Sequence, residues 1–261
     1  MTGESLGVVH AYAVVAADFA GRLPPGLGGA RVEVLPVAGL GVLISHLDAG
    51  GFGEDVWLAN GTDPAWIERT ARQHHGVLQA AIEQGDVLPL RLPGIYADAR
   101  AVERALGGQA DVLRPAFDRI RGRVEVGATA FASEGAEEPA PAPPASGRDY
   151  LMGRAAASTH REQRRDRRNA ALVAGYERMS QSAASAVTNP PQDPALSGRR
   201  EPMVLNAAFL VARADLDAFA DLAEHVGAEL WAEGVTLEVS GPWPPYNFVA
   251  DAVAAPAEVA R

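Results

Sequence analysis

The segment TDPAWIERTARQHHGVLQAAIEQG, residues 62–85, constrains the chain most, because both its ends and one of its faces are written in the sequence. Thr62 or Asp63 stands where a side-chain oxygen can accept a free backbone amide, and Pro64 suits a first helical turn, where its missing N–H is no loss. Gly85 closes the segment. Between these ends Trp66, Ile67, Thr70, Ala71, His74, Val77, Leu78, Ala81 and Ile82 recur at the helical period, which predicts an amphipathic helix. Its apolar face needs a cover, and β-rich runs on both sides supply one.

GVVHAYAVVA (7–16) reads as a strand. ARVEVLPVAG and LGVLISHL, separated near Gly39, read as a hairpin after the turn-like GRLPPGLGG (21–29). DVLPLRLPGIY (86–96) is a further strand, with Pro89 placing it at an edge or a start. With a short helix near Asp18 to Leu23, the order is βαββαβ, the ferredoxin-like split unit. DARAVERALGGQADVLRPAFDRIRG (98–122) adds one or two helices, broken at Gly107 and Gly108.

A second such order follows. RVEVGATAFA (123–132) alternates like a strand, and SEGAEEPAPAPPASG (133–147) is a Pro, Ala and Glu tract expected to be a disordered loop. A long helix is expected from Arg148 to about Val187, ended by the breaker-rich NPPQDPALSGRREP (189–202). MVLNAAFLVA (203–212), ADLDAFADLAEHVGAELWAEG (214–234) and VTLEVSG (235–241) read as strand, helix and strand. A strand near the 189–202 loop would complete βαββαβ. The expectation is therefore an α+β protein of two ferredoxin-like domains. Their bounds are 1–122 and 123–249, with a long Arg-rich helix in the second and a flexible tail at 250–261.

Composition removes several chemistries. Cysteine is absent, so there is no thiolate nucleophile, disulfide framework or zinc ribbon. All 23 basic residues are arginine, which excludes a Schiff-base lysine and the lysine-bearing phosphate loop. A net charge of −10 argues against a nucleic-acid-coating protein. No apolar run is long enough to span a bilayer, and the opening MTGESLGVVHAY lacks a secretory pattern, so the chain is expected in the cytoplasm, away from membranes.

Motifs for a catalytic, cofactor or metal site are not legible. His74 and His75 point about 100° apart on a helix, whereas helical zinc pairs sit three or four apart; His74, on the apolar stripe, is expected to be a hydrogen-bonded core histidine. GLGG (26–29) and GGFG (50–53) are not dinucleotide fingerprints and read as turns.

Two features remain as candidate partner-binding surfaces. On a helix Arg161, Arg164, Arg165 and Arg168 form one guanidinium stripe, offset by Glu162 and Asp166. It reads first as a solvated face, second as a surface for protein carboxylates, and last as a nucleic-acid contact. SGPWPPYNFV (240–249) sets Trp243, Tyr246 and Phe248 among three prolines, which fix an extended path and remove amide donors where a sheet would continue. These rings are read first as internal packing that pins the chain end, and second as facing a partner.

VLPLRLPGIY after a His-bearing helix, GRDYL (147–151) before a long one, LNAAFLV, and GPWPPYNFV (241–249) together resemble the gas vesicle accessory proteins of the F and L type. The motifs span residues 6 to 249. Where the family tends to read P-x-R-F-G-T after the helix, this chain has Pro89, Arg91, Leu92, Pro93 and Gly94. The resemblance implies a non-enzymatic minor protein, located at the gas vesicle in the cytoplasm and needing no cofactor. It would bind the main gas vesicle shell protein and other accessory proteins, and assist nucleation or growth of the shell. The alternative is a small-molecule-binding or enzymatic ferredoxin-like module with a pocket around Trp243, Tyr246 and Arg91.

Overall fold

The computed structural model describes residues 7–133, 146–192, 199 and 201–249. Contacts divide the chain into two compact units, one reaching from the N-terminus to Glu125 and resuming at Trp243, the other spanning Val126–Pro242. The expected tail at 250–261, and residues 134–145 of the expected disordered loop, lie outside the described residues.

In the first unit, β1 (Gly7–Val15) lies inside an antiparallel sheet. Its neighbours are β3 (Leu40–Asp48) on one side and β4 (Val87–Pro89) and β5 (Ile95–Tyr96) on the other, and β2 (Glu33–Val37) lies beyond β3. The β2–β3 hairpin turns through Ala38 and Gly39, both at positive φ (51° and 80°), as a two-residue loop with matching twist requires. Arg114 Nη2 donates to the Ala38 carbonyl at 2.5 Å.

β1 is buried almost without interruption from Val9 to Val15, the signature of a strand covered on both faces. α3 (Pro64–Ile82) is one cover: Asp63 caps it by accepting from the Ala65 amide at 3.0 Å, and Val77, Leu78, Ala81 and Ile82 enter the core with Tyr12, Leu43 and Val87. α4 (Ala99–Gly107) and α5 (Ala110–Ile120) pack against β1, β2, β4 and β5 and bury Val102, Leu106, Leu113 and Phe117.

The expected helix at 18–23 is not formed. Residues 16–26 are irregular, because Gly21, Pro24 and Pro25 leave too few residues to nucleate a turn. The first unit is thus not βαββαβ in element order. GGFG is also not a simple turn: Ala49–Phe52 and Glu54–Asn60 form two short helices, α1 and α2, with Gly53 between them. The expected strand at 86–96 is split into β4 and β5, with Arg91–Gly94 outside the ladder.

The second sheet runs β7 (Ser185–Thr188), β8 (Met203–Ala212), β6 (Arg123–Ala132), β9 (Val235–Trp243). With α6 (Gly147–Gln181) and α7 (Leu216–Ala232), the element order is βαββαβ. α6 ends six residues before its expected end, and the β-branched Val187 and Thr188 belong to β7, paired with β8 from Ser185↔Leu210 to Thr188↔Ala207. The strand expected near the 189–202 loop is therefore β7, which precedes that segment. Leu172 and Met179 of α6 and Phe219, Val226 and Leu230 of α7 pack on Phe209 and Val211 of β8. A Cβ on Gly175 would stand 2.7 Å from Val226 Cγ1, so that glycine allows the two helices their close approach.

β9 continues through Pro242 to Trp243, farther than the prolines suggested. It is an edge strand, where an absent N–H leaves no ladder bond unmade.

Candidate functional site

The closing segment Trp243–Val249 belongs to the first unit and is fastened there by backbone and side chain alike. Tyr246–Phe248 form a single 3-10 turn in which the Tyr246 amide donates to the Pro244 carbonyl at 2.7 Å and Phe248 to Pro245 at 3.2 Å. Asn247 then meets Glu125 twice: its backbone N–H donates to Oε2 at 2.8 Å and its side-chain Nδ2 to Oε1 at 2.6 Å. The Phe248 carbonyl accepts from Arg119 Nη2 at 2.9 Å.

Glu125 is buried, and burial pushes its carboxyl above the usual carboxylate range while the two Asn247 donors pull it back. Phe248 and Val249 are buried as well, at 8% and 4% exposure. Of the three rings, Phe248 is thus internal. Tyr246 keeps 38% of its surface. Its hydroxyl lies 3.0 Å from His75 Nδ1, and desolvation, then the negative charge of Glu125, raise its pKa. The Trp243 ring sits 5.5 Å from the His75 ring.

His75, Tyr246 and Val249 border an open cleft of about 480 Å³. α3 contributes Ala71, His74 and His75, the segment from β4 onward contributes Pro89 to Leu92, and the closing segment contributes Tyr246 and Val249. The floor is apolar. Arg91, exposed, provides a permanent cation at its edge.

Beneath the cleft lies a pair that the sequence did not announce. His10 of β1 and His74 of α3, 64 residues apart, approach to 3.0 Å between Nε2 and Nδ1, with Tyr12 stacked on His74 at 5.4 Å. His74 is a buried, hydrogen-bonded histidine, as its place on the apolar stripe predicts. Burial holds its pKa down to about 4, and burial followed by the nearness of His74 holds His10 well below its ordinary value. Both rings are neutral at pH 7. Among the described residues no group of three or more acidic or histidine side chains is placed to hold a metal ion.

A family model described as "Gas vesicle synthesis protein GvpL/GvpF" matches residues 8–250. The chain belongs to this family. It is 36% identical to gas vesicle protein L of Streptomyces sp. (strain CB03234), over 95% of this chain and 94% of that one. It is 25% identical to gas vesicle protein F1 of Halobacterium salinarum over 72% of each chain. The crystal structure of GvpF from Anabaena sp. PCC7120 matches 93% of this chain and 95% of its own, with a TM-score of 0.67 at 17% identity. GvpF from Microcystis aeruginosa matches 93% and 98%, with a TM-score of 0.64 at 16% identity. At these identities the two structures establish the likeness of fold alone.

Within this gas vesicle protein, the arginine stripe belongs to the second unit. Arg161, Arg164 and Arg165 are exposed on α6, and Arg168 is half-buried. Arg161 Nε donates to its own helix at the Ala157 carbonyl, 3.2 Å away, and Arg165 lies 3.9 Å from Asp166. The neighbouring Arg167 leans toward Glu233 at 3.5 Å. Among the described residues, no helix is long and apolar enough to cross a membrane.

Of the residues singled out in sequence, Tyr246 and Arg91 share the cleft and Trp243 packs on its histidine. The Glu125–Asn247 bond and the His10–His74 pair were missed. Each joins residues more than sixty positions apart, and of the four only His74, on the apolar stripe, signals a buried hydrogen bond in the sequence.

Proposed function

We propose that this chain is a minor structural and assembly protein of the gas vesicle, one that binds shell subunits and assists nucleation or growth of the shell. The observation that carries this reading is the family match along residues 8–250. Its partners are the main shell protein and other accessory proteins, it acts at the vesicle in the cytoplasm, and it works by binding rather than catalysis.

The exposed features suit such a role. β9 lies at an edge of its sheet and its residues 238–242 are exposed, a surface on which a partner protein can rest. On the same unit Trp231 is 70% exposed and Leu151 of α6 67%, large apolar surface that no described residue covers. The Arg161, Arg164, Arg165 stripe fits protein carboxylates. The ferredoxin-like reading of the two domains belongs to the same proposal. It is supported by the βαββαβ order at 123–243 and by the matching position of the first strand, between the third and fourth, in both sheets.

A clean deletion of the gene and its paralogues in a vesicle-forming host tests the role, with complementation by the intact chain. Loss of vesicles and co-purification with the main shell protein are expected. Normal vesicles in the deletion overturn the reading. A second reading, a small-molecule site, draws on the cleft beside Arg91 and Tyr246; a thermal-shift screen against nucleotides and metabolites checks it, and a blank screen removes it.

A further inference from the structure

α6 is covered over only part of its length. From Leu172 to Met179 it packs in the core of its unit, with Gly175 close against Val226 of α7. Between Arg148 and Ala170, by contrast, every described side chain but Ala157 and Arg168 is exposed. The face that carries Leu172 nonetheless continues into this stretch: steps of four and three back from it reach Arg168, Arg165, Arg161, Ser158, Arg154 and Leu151. A helix exposed on all sides needs a partner or many internal pairs. The pairs along this face are few: Arg165 stands 3.9 Å from Asp166, and Arg161 bonds its own helix through Nε alone, which leaves its Nη groups to a partner.

α7 carries the complement. Asp217, Asp221, Glu224 and Trp231 are exposed at steps of four, three and seven, on the side opposite the buried Phe219 and Val226. Among the described residues, the three carboxylates have no hydrogen bond or ion pair. We infer that the exposed face of α6 docks antiparallel on the outer face of α7 in a second copy of this chain.

The two rows share one register. With Leu151 against Trp231, Ser158 meets Glu224, Arg161 meets Asp221 and Arg165 meets Asp217, over about four helical turns. The apolar ends coincide, since Leu151 is 67% and Trp231 70% exposed, and the charged ends coincide with opposite sign. One copy cannot make this contact with itself, because its α6 already meets the other side of α7 where Gly175 faces Val226. Two α6 faces cannot pair either, since residues 148–168 hold seven arginines against three acidic residues. The chain as a whole is at −10, so a second copy is acidic everywhere else and attracts this stretch. The contact joins two different surfaces and leaves one of each open on every pair, so it propagates head to tail.

This contact is separate from the binding of shell subunits, and the purified chain alone reports it. In sedimentation equilibrium at low salt the mean mass should rise with concentration past that of a dimer. Association should weaken about tenfold or more in Arg161→Asp/Arg165→Asp, in Asp217→Arg/Asp221→Arg, and in about 0.5 M salt. Combining the four substitutions sets opposite charges against each other again and should restore it. All four side chains are exposed, so melting should match wild type. The chain has no cysteine, so an introduced pair reads the register: an oxidised mixture of Ser158→Cys and Glu224→Cys chains should yield the mixed disulfide, and Ser158→Cys with Val239→Cys of β9 should not.

A chain that stays monomeric at every concentration overturns the inference. So does a combined variant that fails to reassociate, or an equal disulfide yield from the Val239→Cys control. If the chain is monomeric and a photo-crosslinker at Ser158 joins a different acidic protein in vesicle-forming cells, the face belongs to that protein and not to a second copy.

Discussion

Acidification should loosen the first unit through the His10–His74 pair. In the unfolded chain each histidine titrates near 6.5, whereas in the fold burial holds His74 to about 4 and His10 well below its ordinary value. A lowered folded pKa means that between pH 6.5 and 4 the unfolded state binds protons the native state refuses. Stability is therefore full above pH 6.5 and drains away as pH falls. One pKa unit is worth about 1.4 kcal/mol, so His74 alone accounts for about 2 kcal/mol at pH 5 and about 3 kcal/mol by pH 4. His10 adds in the same direction. Against a typical total of about 5–15 kcal/mol, that is a large share. Glu125 works the other way: its raised carboxyl contributes most below its unfolded pKa, and that contribution is lost as pH rises through the folded value. Urea unfolding at pH 7.5, 6 and 5, followed by tryptophan fluorescence, measures the sum. Trp57, Trp66 and Trp243 lie in the first unit and dominate the signal over Trp231. The double variant His10→Gln/His74→Gln keeps polar side chains of similar size but cannot titrate, so its slope between pH 7.5 and 5 should be flatter by about 2 kcal/mol or more. Equal slopes in wild type and variant would show that this pair does not carry the linkage.

Three substitutions probe other parts of the fold. Asn247→Ala removes the side-chain donor from the buried Glu125 carboxylate, leaving the backbone N–H in place, and should cost about 1–3 kcal/mol in urea unfolding; an unchanged midpoint would mean the side-chain bond is not formed in solution. Gly175→Ala would gain about 1 kcal/mol from helix propensity alone, yet its Cβ would crowd Val226, so the melting temperature should fall. A rise would place α6 farther from α7. Trp243→Ala removes a half-buried ring from beside His75 and should lower stability by about 1–2 kcal/mol while weakening vesicle assembly. Intact melting with lost shell-protein binding would make the ring a pure interface group.

What was legible in the sequence divides along a physical line. The α3 helix could be read because its cap, its first-turn proline and its apolar stripe are all local, and β1, the hairpin, β8 and α7 follow from the same kind of signal. The helix at 18–23 was wrongly expected because the βαββαβ order invited it, while Gly21, Pro24 and Pro25 forbade it at close range. α1 and α2 were missed because a glycine-rich stretch looks like a turn, and because neither short helix contains a fully buried residue to mark its period. The site is the harder case. Tyr246 and Arg91 could be suspected from residue type, but the segment that carries Tyr246 is held by Asn247 on Glu125 and by the Phe248 carbonyl on Arg119, across 122 and 129 positions. No periodicity encodes such pairings. The consequence is that the closing segment does two jobs with different residues. Asn247 and Phe248 fasten it, while Tyr246 borders the cleft and Trp243 packs beside His75, so a variant at either of the first two should lower binding and stability together. Arg164→Gln, on the exposed stripe of α6, should lower binding alone. That separation distinguishes a docking surface from a packing strap, and it requires both classes of variant in the same assay.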